Sequence, residues 1–238
     1  MNALILSAGL GSRLGPYTKD IPKVMLPING KPLLDILINK LLFLNINKIV
    51  INTYFKPNVI EDYVTSQKYS DKIIISREEK LLGTAGSLKE NMKYLTGSNF
   101  MVMHGDNYFT DSLIAMLKFH LKDLSDSLMT MGTFITNEPE LYGIVDIDNN
   151  GVVEHFYEKS TKGTSNVANS AIYMFKKQSI DLINSLSQKE NDISQHLIPK
   201  FVGKIKSFPL SGQFIDIGIP ERYLKIKSFD VNTHPPIK

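Results

Sequence analysis

Apolar residues recur along the first half of the chain in two alternating styles. Short, nearly continuous apolar runs at residues 3–7, 48–52, 72–76 and 100–104 predict buried strands. Between them, residues 32–44, 57–63, 85–95 and 112–121 predict helices, because their apolar positions fall three and four apart. Leu33, Ile36, Leu37, Leu41 and Leu44 show the spacing most clearly. Strand–helix alternation of this kind implies right-handed crossover units and a parallel sheet with both faces covered.

The second half changes character. Residues 127–134, 144–147, 152–157 and 169–175 predict strands, with Asn149-Asn150-Gly151 as a hairpin turn between two of them. Helices are expected at residues 178–185, 193–201 and 220–228, and residues 232–238, with Pro235-Pro236, as a tail. No repeat or low-complexity linker divides the chain. The expectation is an α/β fold: a mostly parallel mixed sheet flanked by helices, with an antiparallel extension, forming one domain over residues 1–231.

Composition narrows the classes. The 238 residues are 42% hydrophobic, enough for a full core. A net charge of +3 without blocks of like charge argues against a nucleic-acid partner. No cysteine is present, which excludes disulfides and thiolate chemistry and makes a cytoplasmic location the expectation. The first strand is too short for a signal peptide and lacks its basic flank. No apolar run approaches the roughly 20 residues that cross a bilayer, so no membrane insertion is expected.

The chemistry is concentrated at the start. The first strand runs into Ala8-Gly9-Leu10-Gly11-Ser12-Arg13-Leu14, and Pro22-Lys23 follows. Gly9 and Gly11 allow close approach of a ligand to the backbone, whose N–H groups can point at phosphate oxygens. Ligands of open parallel sheets bind beyond the carboxyl ends of strands, where this loop stands. The dinucleotide fingerprint requires glycine at position 14, where Leu14 stands, and an acidic residue ending the second strand, where Asn52-Thr53 stand. This disfavours a dinucleotide-dependent oxidoreductase. The P-loop pattern fails as well, since no Gly-Lys-Ser/Thr closes it. Two cations at fixed offsets, Arg13 and Lys23, separate the loop from a plain glycine-rich turn.

Gly9-Leu10-Gly11-Ser12-Arg13-Leu14-x-Pro16-x-Thr18-x-x-x-Pro22-Lys23 resembles the signature of the sugar-1-phosphate nucleotidylyltransferases. That family joins a nucleoside triphosphate to a sugar 1-phosphate and releases pyrophosphate. The resemblance implies a Rossmann-like, glycosyltransferase-A-like fold and, with further motifs in family order, covers nearly the whole chain. Leu10 stands where relatives usually carry glycine. The loop then supplies Leu6, Ala8, Gly9, Gly11 and Ser12 to the nucleotide, with Arg13 on the β- and γ-phosphates and Lys23 near the α-phosphate.

Leu82-Gly83-Thr84-Ala85-Gly86 opens the third helix, and its small residues leave room for a flat base. A plain helix start capped by Thr84 is compatible with that role. In the family this loop reads the base, and the sequence here resembles the guanylyl-transferring branch, including mannose- and heptose-1-phosphate enzymes. Glu78 precedes the loop where thymidylyl and uridylyl relatives often carry glutamine. A carboxylate only accepts, and guanine offers two adjacent donors. The competing reading places Glu78 on a solvated face.

Gly105-Asp106 ends the fourth strand, and Asp216-x-Gly218-x-Pro220 precedes the last helix. Two carboxylates at one place repel unless a cation joins them, and Mg²⁺ commonly uses one or two carboxylates with substrate phosphates. Similar aspartates bind Mg²⁺ in the family, which assigns Asp106 and Asp216 as metal ligands. Tyr142-Gly143, Glu158-Lys159 and Asn169 resemble the acceptor half, with Glu158 on hydroxyls and Lys159 on the sugar phosphate. Ser160 and Ala171 depart from the proline and glycine common there.

The expected activity is transfer of a nucleoside monophosphate from GTP to a mannose- or heptose-type sugar 1-phosphate for surface polysaccharide synthesis. Alternatives are a CTP-dependent enzyme acting on a sugar phosphate or a phosphocholine-like phosphate, a UTP- or dTTP-dependent glucose-1-phosphate enzyme, and a nucleotide-binding regulatory subunit without turnover. Relatives are often homodimers, and some carry a fused acyltransferase β-helix that is not expected here.

Overall fold

A computed structural model describes residues 1–159 and 165–227. Its strands are β1 (Asn2–Leu6), β2 (Pro27–Ile28), β3 (Lys31–Pro32), β4 (Ile49–Thr53), β5 (Ile73–Arg77), β6 (Asn99–His104), β7 (Asn107–Phe109), β8 (Met129–Ile135), β9 (Gly143–Ile147), β10 (Val153–Glu158), β11 (Val167–Lys176), β12 (Ile205–Pro209) and β13 (Phe214–Asp216). The helices are α1 (Leu33–Phe43), α2 (Pro57–Thr65), α3 (Gly83–Asn91), α4 (Ile114–Lys122), α5 (Ile180–Asn184), α6 (Ile198–Phe201) and α7 (Pro220–Lys227). Ser160, the expected tail at residues 232–238 and the last residue of the helix expected at 220–228 lie outside the described residues.

The main sheet runs β10-β9-β11-β6-β1-β4-β5, with β8 on β11 and β12 on β8. β6, β1, β4 and β5 are mutually parallel. β11 is antiparallel to β6 and begins the mixed half. Alternate residues of each parallel strand enter different cores, as a pleat requires. Ala3 and Ile5 pack with Leu33, Leu37, Ile38 and Leu41 of α1 on one face. Leu4, Val50 and Val102 pack with Leu88 of α3 and Phe201 of α6 on the other. Burial on both faces explains why these strands read as continuous apolar runs. Among the described residues, no helix is long and apolar enough to cross a membrane.

Three local features differ from the expectation. The stretch after β1 is no open loop: Ser12–Thr18 winds into short 3₁₀ turns on either side of a kink at Gly15 and buries Leu14 completely. Position 14 is a core position here, which is why it carries leucine rather than a dinucleotide-site glycine. Thr84 does not cap its own helix, because α3 begins at Gly83 without a side-chain cap. Gly83 has φ +75°, and a Cβ there would lie 2.3 Å from the Asn191 carbonyl oxygen. Thr84 Oγ1 instead accepts from the Ile193 N–H at 2.7 Å. Finally, β11 is bulged between Asn169 and Tyr173, with Ala171 at φ +53°. That conformation accounts for the glycine of relatives at this position.

Candidate active site

The carboxyl ends of β1, β4 and β6 open into one cavity of about 430 Å³. Its walls carry Leu6, Ala8, Gly9, Gly11, Ser12 and Arg13 from the glycine loop, with Lys23 beside them. Glu78, Gly83 and Thr84 line it from the base-loop side, and His104, Asp106 and Gly218 from the sheet side. Most of the residues expected at the nucleotide thus share one space of the size that small ligands occupy. Ala85 and Gly86 do not line it. Ala85 is fully buried, with its N–H on the Asn191 carbonyl at 2.9 Å, because α3 has turned it into the core.

Lys23 Nζ lies 2.5 Å from Asp106 Oδ2. Burial pushes the Asp106 carboxyl up, but the Lys23 ammonium and His104 outweigh it and hold it below the usual carboxylate range. Asp216 is brought alongside by sheet pairing: β13 lies antiparallel to β7 with Asp216 opposite Asn107, and the Ile217 N–H donates to the Asp106 carbonyl at 3.0 Å. Burial and the Asp106 charge push the Asp216 carboxyl above the usual range, against Lys23 and Arg222. The Gly218 N–H donates to Asp216 Oδ1 at 2.7 Å. A Cβ on Gly218 would lie 3.2 Å from an Arg13 guanidinium nitrogen. Arg13, Lys23 and Asp106 therefore meet at one end of the cavity, and Asp216 adjoins them behind Gly218 without lining it.

This donor set fits a magnesium ion. Two carboxylates repel one another, and the described residues contain no group of three potential ligands. The remaining oxygens would come from phosphates, as Mg²⁺ prefers. His104 Nε2, buried and without a hydrogen-bond partner, belongs to the same wall.

At the other end Glu78 is only 9% exposed, which excludes a solvated face. Its Oε1 accepts from Asn52 Nδ2 at 2.8 Å and Ser87 Oγ at 2.5 Å, and Oε2 accepts from the Leu82 N–H at 3.3 Å. Asn52 Oδ1 in turn accepts from the Ser7 N–H at 2.7 Å. This buried relay ties the glycine loop, β4 and the base loop together. It also explains why the second strand ends in asparagine rather than an acidic residue.

A model of the family described as "Nucleotidyl transferase" matches residues 2–233. The chain belongs to the nucleotidyl transferase family. It is 33% identical over 225 residues to the D-glycero-alpha-D-manno-heptose 1-phosphate guanylyltransferase of Campylobacter jejuni, covering 94% of this chain and 97% of that one. Among solved structures, it matches HddC from Yersinia pseudotuberculosis complexed with GMP-PN, at 32% identity and a TM-score of 0.78, covering 95% and 97% of the two chains. A putative glucose-1-phosphate thymidylyltransferase from Bacillus anthracis shares the fold, with a TM-score of 0.84 at 22% identity over 96% of this chain and 94% of that chain.

In this nucleotidyl transferase the expected acceptor residues fall into two groups. Glu158 and Asn169 gather, with Tyr173, which was not among the expected residues, around the start of the helical segment at Ile193. Asn169 Nδ2 donates to the Tyr173 hydroxyl at 2.8 Å, and its Oδ1 accepts from the Ala171 N–H at 2.9 Å. The Ser194 hydroxyl stands beside Glu158 and Tyr173, where it opposes the upward shift that burial gives each. Burial pushes the Glu158 carboxyl up, with Lys159 opposing and Asp192 adding to the shift. Gly143 has its role here, since a Cβ would meet the Phe156 ring at 2.5 Å and Glu158 Oε2 at 2.9 Å. Lys159 is largely exposed, 3.9 Å from Glu158. Tyr142 stands apart, edge-on to Phe134 in a separate depression with Glu138 and Phe214.

The sequence reading missed Asn52, Ser87, Asp192, Ser194 and Arg222. Asp192 had a local signal: Asp-x-x-Gln before an apolar run is a helix-start pattern, and its carboxylate accepts from the Gln195 N–H at 2.9 Å. The others meet their partners only through tertiary folding and carry no such mark.

Proposed function

We propose that the protein transfers GMP from GTP to a sugar 1-phosphate of the mannose or heptose type, releasing pyrophosphate and forming an activated sugar for surface polysaccharide synthesis. One observation carries the reading: Arg13, Lys23 and Asp106 converge, with Asp216 adjoining them, at one end of a cavity whose other end is formed by the Gly83-Thr84 loop. The guanylyl assignment draws support from the heptose 1-phosphate guanylyltransferase and GMP-PN-bound HddC relatives.

The chemistry is an in-line displacement. An acceptor phosphate oxygen forms a bond to the α-phosphorus, and the bond to the pyrophosphate oxygen breaks. The nucleophile is already anionic, so no strong general base is required, and positioning with charge neutralisation supplies catalysis. Arg13 holds the β- and γ-phosphates and stabilises the departing pyrophosphate. Lys23 exchanges its Asp106 partner for the α-phosphate region. Asp106 and Asp216 would hold Mg²⁺, which when bound neutralises phosphate oxygens. Glu158 accepts from acceptor hydroxyls, with Asn169 holding Tyr173 in place beside it. Glu78 positions the base loop through Asn52, Ser87 and the Leu82 amide. We place the protein in the cytoplasm, where nucleoside triphosphates are made, and read residues 1–231 as one domain of a homodimer.

The test is pyrophosphate release from GTP, UTP, dTTP, CTP and ATP, each paired with a panel of sugar and alcohol phosphates. GTP with mannose or heptose 1-phosphate is expected to be the best pair. A preference for UTP, dTTP or CTP refutes the guanylyl reading, and no release from any pair supports a non-catalytic subunit.

A further inference from the structure

Arg222 lies in the first turns of α7, six residues after Asp216, and its side chain is only 16% exposed. Its guanidinium has three neighbours. One nitrogen stands 3.7 Å from Asp216 Oδ2, and another 3.6 Å from Glu138 Oε2. The guanidinium carbon lies 5.1 Å from the centroid of the Tyr142 ring. Both ion-pair distances exceed the 2.7–2.9 Å, roughly, of a charge-assisted hydrogen bond. Neither carboxylate therefore engages the guanidinium fork in bidentate fashion.

The surroundings hold this cation in place. Tyr142 packs edge-on to Phe134, whose ring stacks on Phe214 at 4.1 Å. The next residue of α7, Tyr223, is 1% exposed, donates to the Pro27 carbonyl at 3.0 Å and meets Tyr17 of the glycine-loop turn edge to face. A guanidinium held over an aromatic ring that is itself braced by its neighbours is pre-organised to grip two oxygens of one anion.

Its location specifies the anion. The acceptor must place its phosphate beside Asp106 and Asp216 while its hydroxyls extend toward the antiparallel half. Arg222 stands between Asp216 and Tyr142, the residue that immediately precedes β9 of that antiparallel half. Lys159, the cation expected for this phosphate, is 63% exposed and stands beside Glu158 instead. We propose that Arg222 binds the acceptor phosphate, its guanidinium gripping two phosphate oxygens next to Asp216. The assignment rests on the sugar 1-phosphate reading above and adds the residue that orients the attacking group.

The test uses wild type, Arg222→Gln and Arg222→Lys. Mannose 1-phosphate binding is measured by calorimetry, and KM for acceptor and triphosphate and the Mg²⁺ activation profile in the pyrophosphate assay. Arg222→Gln is expected to weaken acceptor binding and raise acceptor KM about 10- to 100-fold, with triphosphate KM unchanged. Arg222→Lys recovers part of the loss, because it keeps the charge without the fork. A shifted Mg²⁺ profile with unchanged acceptor affinity would mean that Arg222 only neutralises Asp216, and overturns the proposal. Equal rises in both KM values with a lowered Tm overturn it too, as a structural effect. If Arg222→Gln does not fold, Glu138→Gln serves: releasing the guanidinium from that rim carboxylate is expected to lower acceptor KM, and an unchanged value counts against the proposal. The two readings fail separately. A wild type that prefers another triphosphate sinks the guanylyl assignment, while the Arg222 effect is still read on the acceptor it uses.

Discussion

Replacing Glu78 separates a base-reading carboxylate from a scaffolding one. In Glu78→Gln the amide oxygen can still accept from Asn52 and Ser87, but the amide nitrogen arrives where the Leu82 N–H now points, 3.3 Å from Oε2. One hydrogen bond is lost, two lose their charge assistance, and a donor faces a donor, for about 1–2 kcal/mol. Glu78→Ala goes further. It strands two buried donors, Asn52 Nδ2 and Ser87 Oγ, on residues 1% and 3% exposed. At about 1–3 kcal/mol for each orphaned group, the cost is about 2–6 kcal/mol. For a chain of this length each kcal/mol moves Tm by about 2–4 °C. Thermal melting should therefore show a drop of about 2–8 °C for Glu78→Gln and a larger one for Glu78→Ala. In the pyrophosphate assay, KM should rise for every triphosphate together, because the relay sets the position of the whole loop. A Glu78→Gln variant with unchanged Tm and a preference moved from GTP toward UTP or dTTP would refute the scaffold reading and make Glu78 the base reader.

Asp216→Asn is expected to lose most turnover and to flatten the Mg²⁺ dependence; near-normal activity across a Mg²⁺ titration would remove Asp216 from the metal site. His120, 1% exposed between Thr130 and Asn99, is pushed down to about 4 by burial and by Lys176. The unfolded chain takes up this proton near pH 6.5 and the folded chain near pH 4, so stability should fall by about 3 kcal/mol as pH drops through that window. Urea melts of wild type and His120→Gln at pH 7.5 and 4.5 check it, the variant losing this part of the acid sensitivity. Ala171→Gly relieves a side chain at φ +53°. The left-handed strain of about 1–2 kcal/mol outweighs a glycine entropy cost of about 0.5–1 kcal/mol, so Tm should rise by a few degrees; a lower Tm would contradict that balance.

The parallel half of the fold was readable because its signals are local and redundant. β1, β4, β5 and β6 are apolar on both faces, so each strand announces itself, within a residue or two of the expected ends. The third helix was displaced: expected at residues 85–95, it runs Gly83–Asn91 and tightens into a 3₁₀ turn at Met92–Tyr94. Gly83 turns the chain at positive φ and starts the helix early, an event set by the Asn191 carbonyl far away in sequence. β7, β13 and β12 were not anticipated. The first two are three residues each and gain their identity only by pairing with one another. β12 exists because Ile205–Pro209 completes the sheet against β8, parallel to it.

The site divides along the same line. The glycine loop, its two cations and both aspartates carry short-range motifs, and the fold brings the loop, the cations and Asp106 to one cavity with Asp216 beside it. What periodicity could not expose is how the two halves of the reaction are joined. Thr84 looks like a cap for α3, yet its hydroxyl accepts from the Ile193 amide and approaches Asp192 Oδ2 at 3.4 Å. Ser194, one residue further on, lies beside Glu158 and Tyr173. The base loop is therefore tied to the segment at residues 192–194, which stands beside Glu158, the carboxylate proposed for the acceptor hydroxyls. The same logic applies at the opposite end, where α7 packs Tyr223 against Tyr17 of the glycine-loop turn while presenting Arg222 to Tyr142. Each nucleotide-facing loop thus shares a rigid element with the acceptor side. Substitutions in α7 or at residues 191–194 should consequently alter acceptor use before they alter triphosphate binding, whereas changes to the Glu78 relay should act in the reverse order.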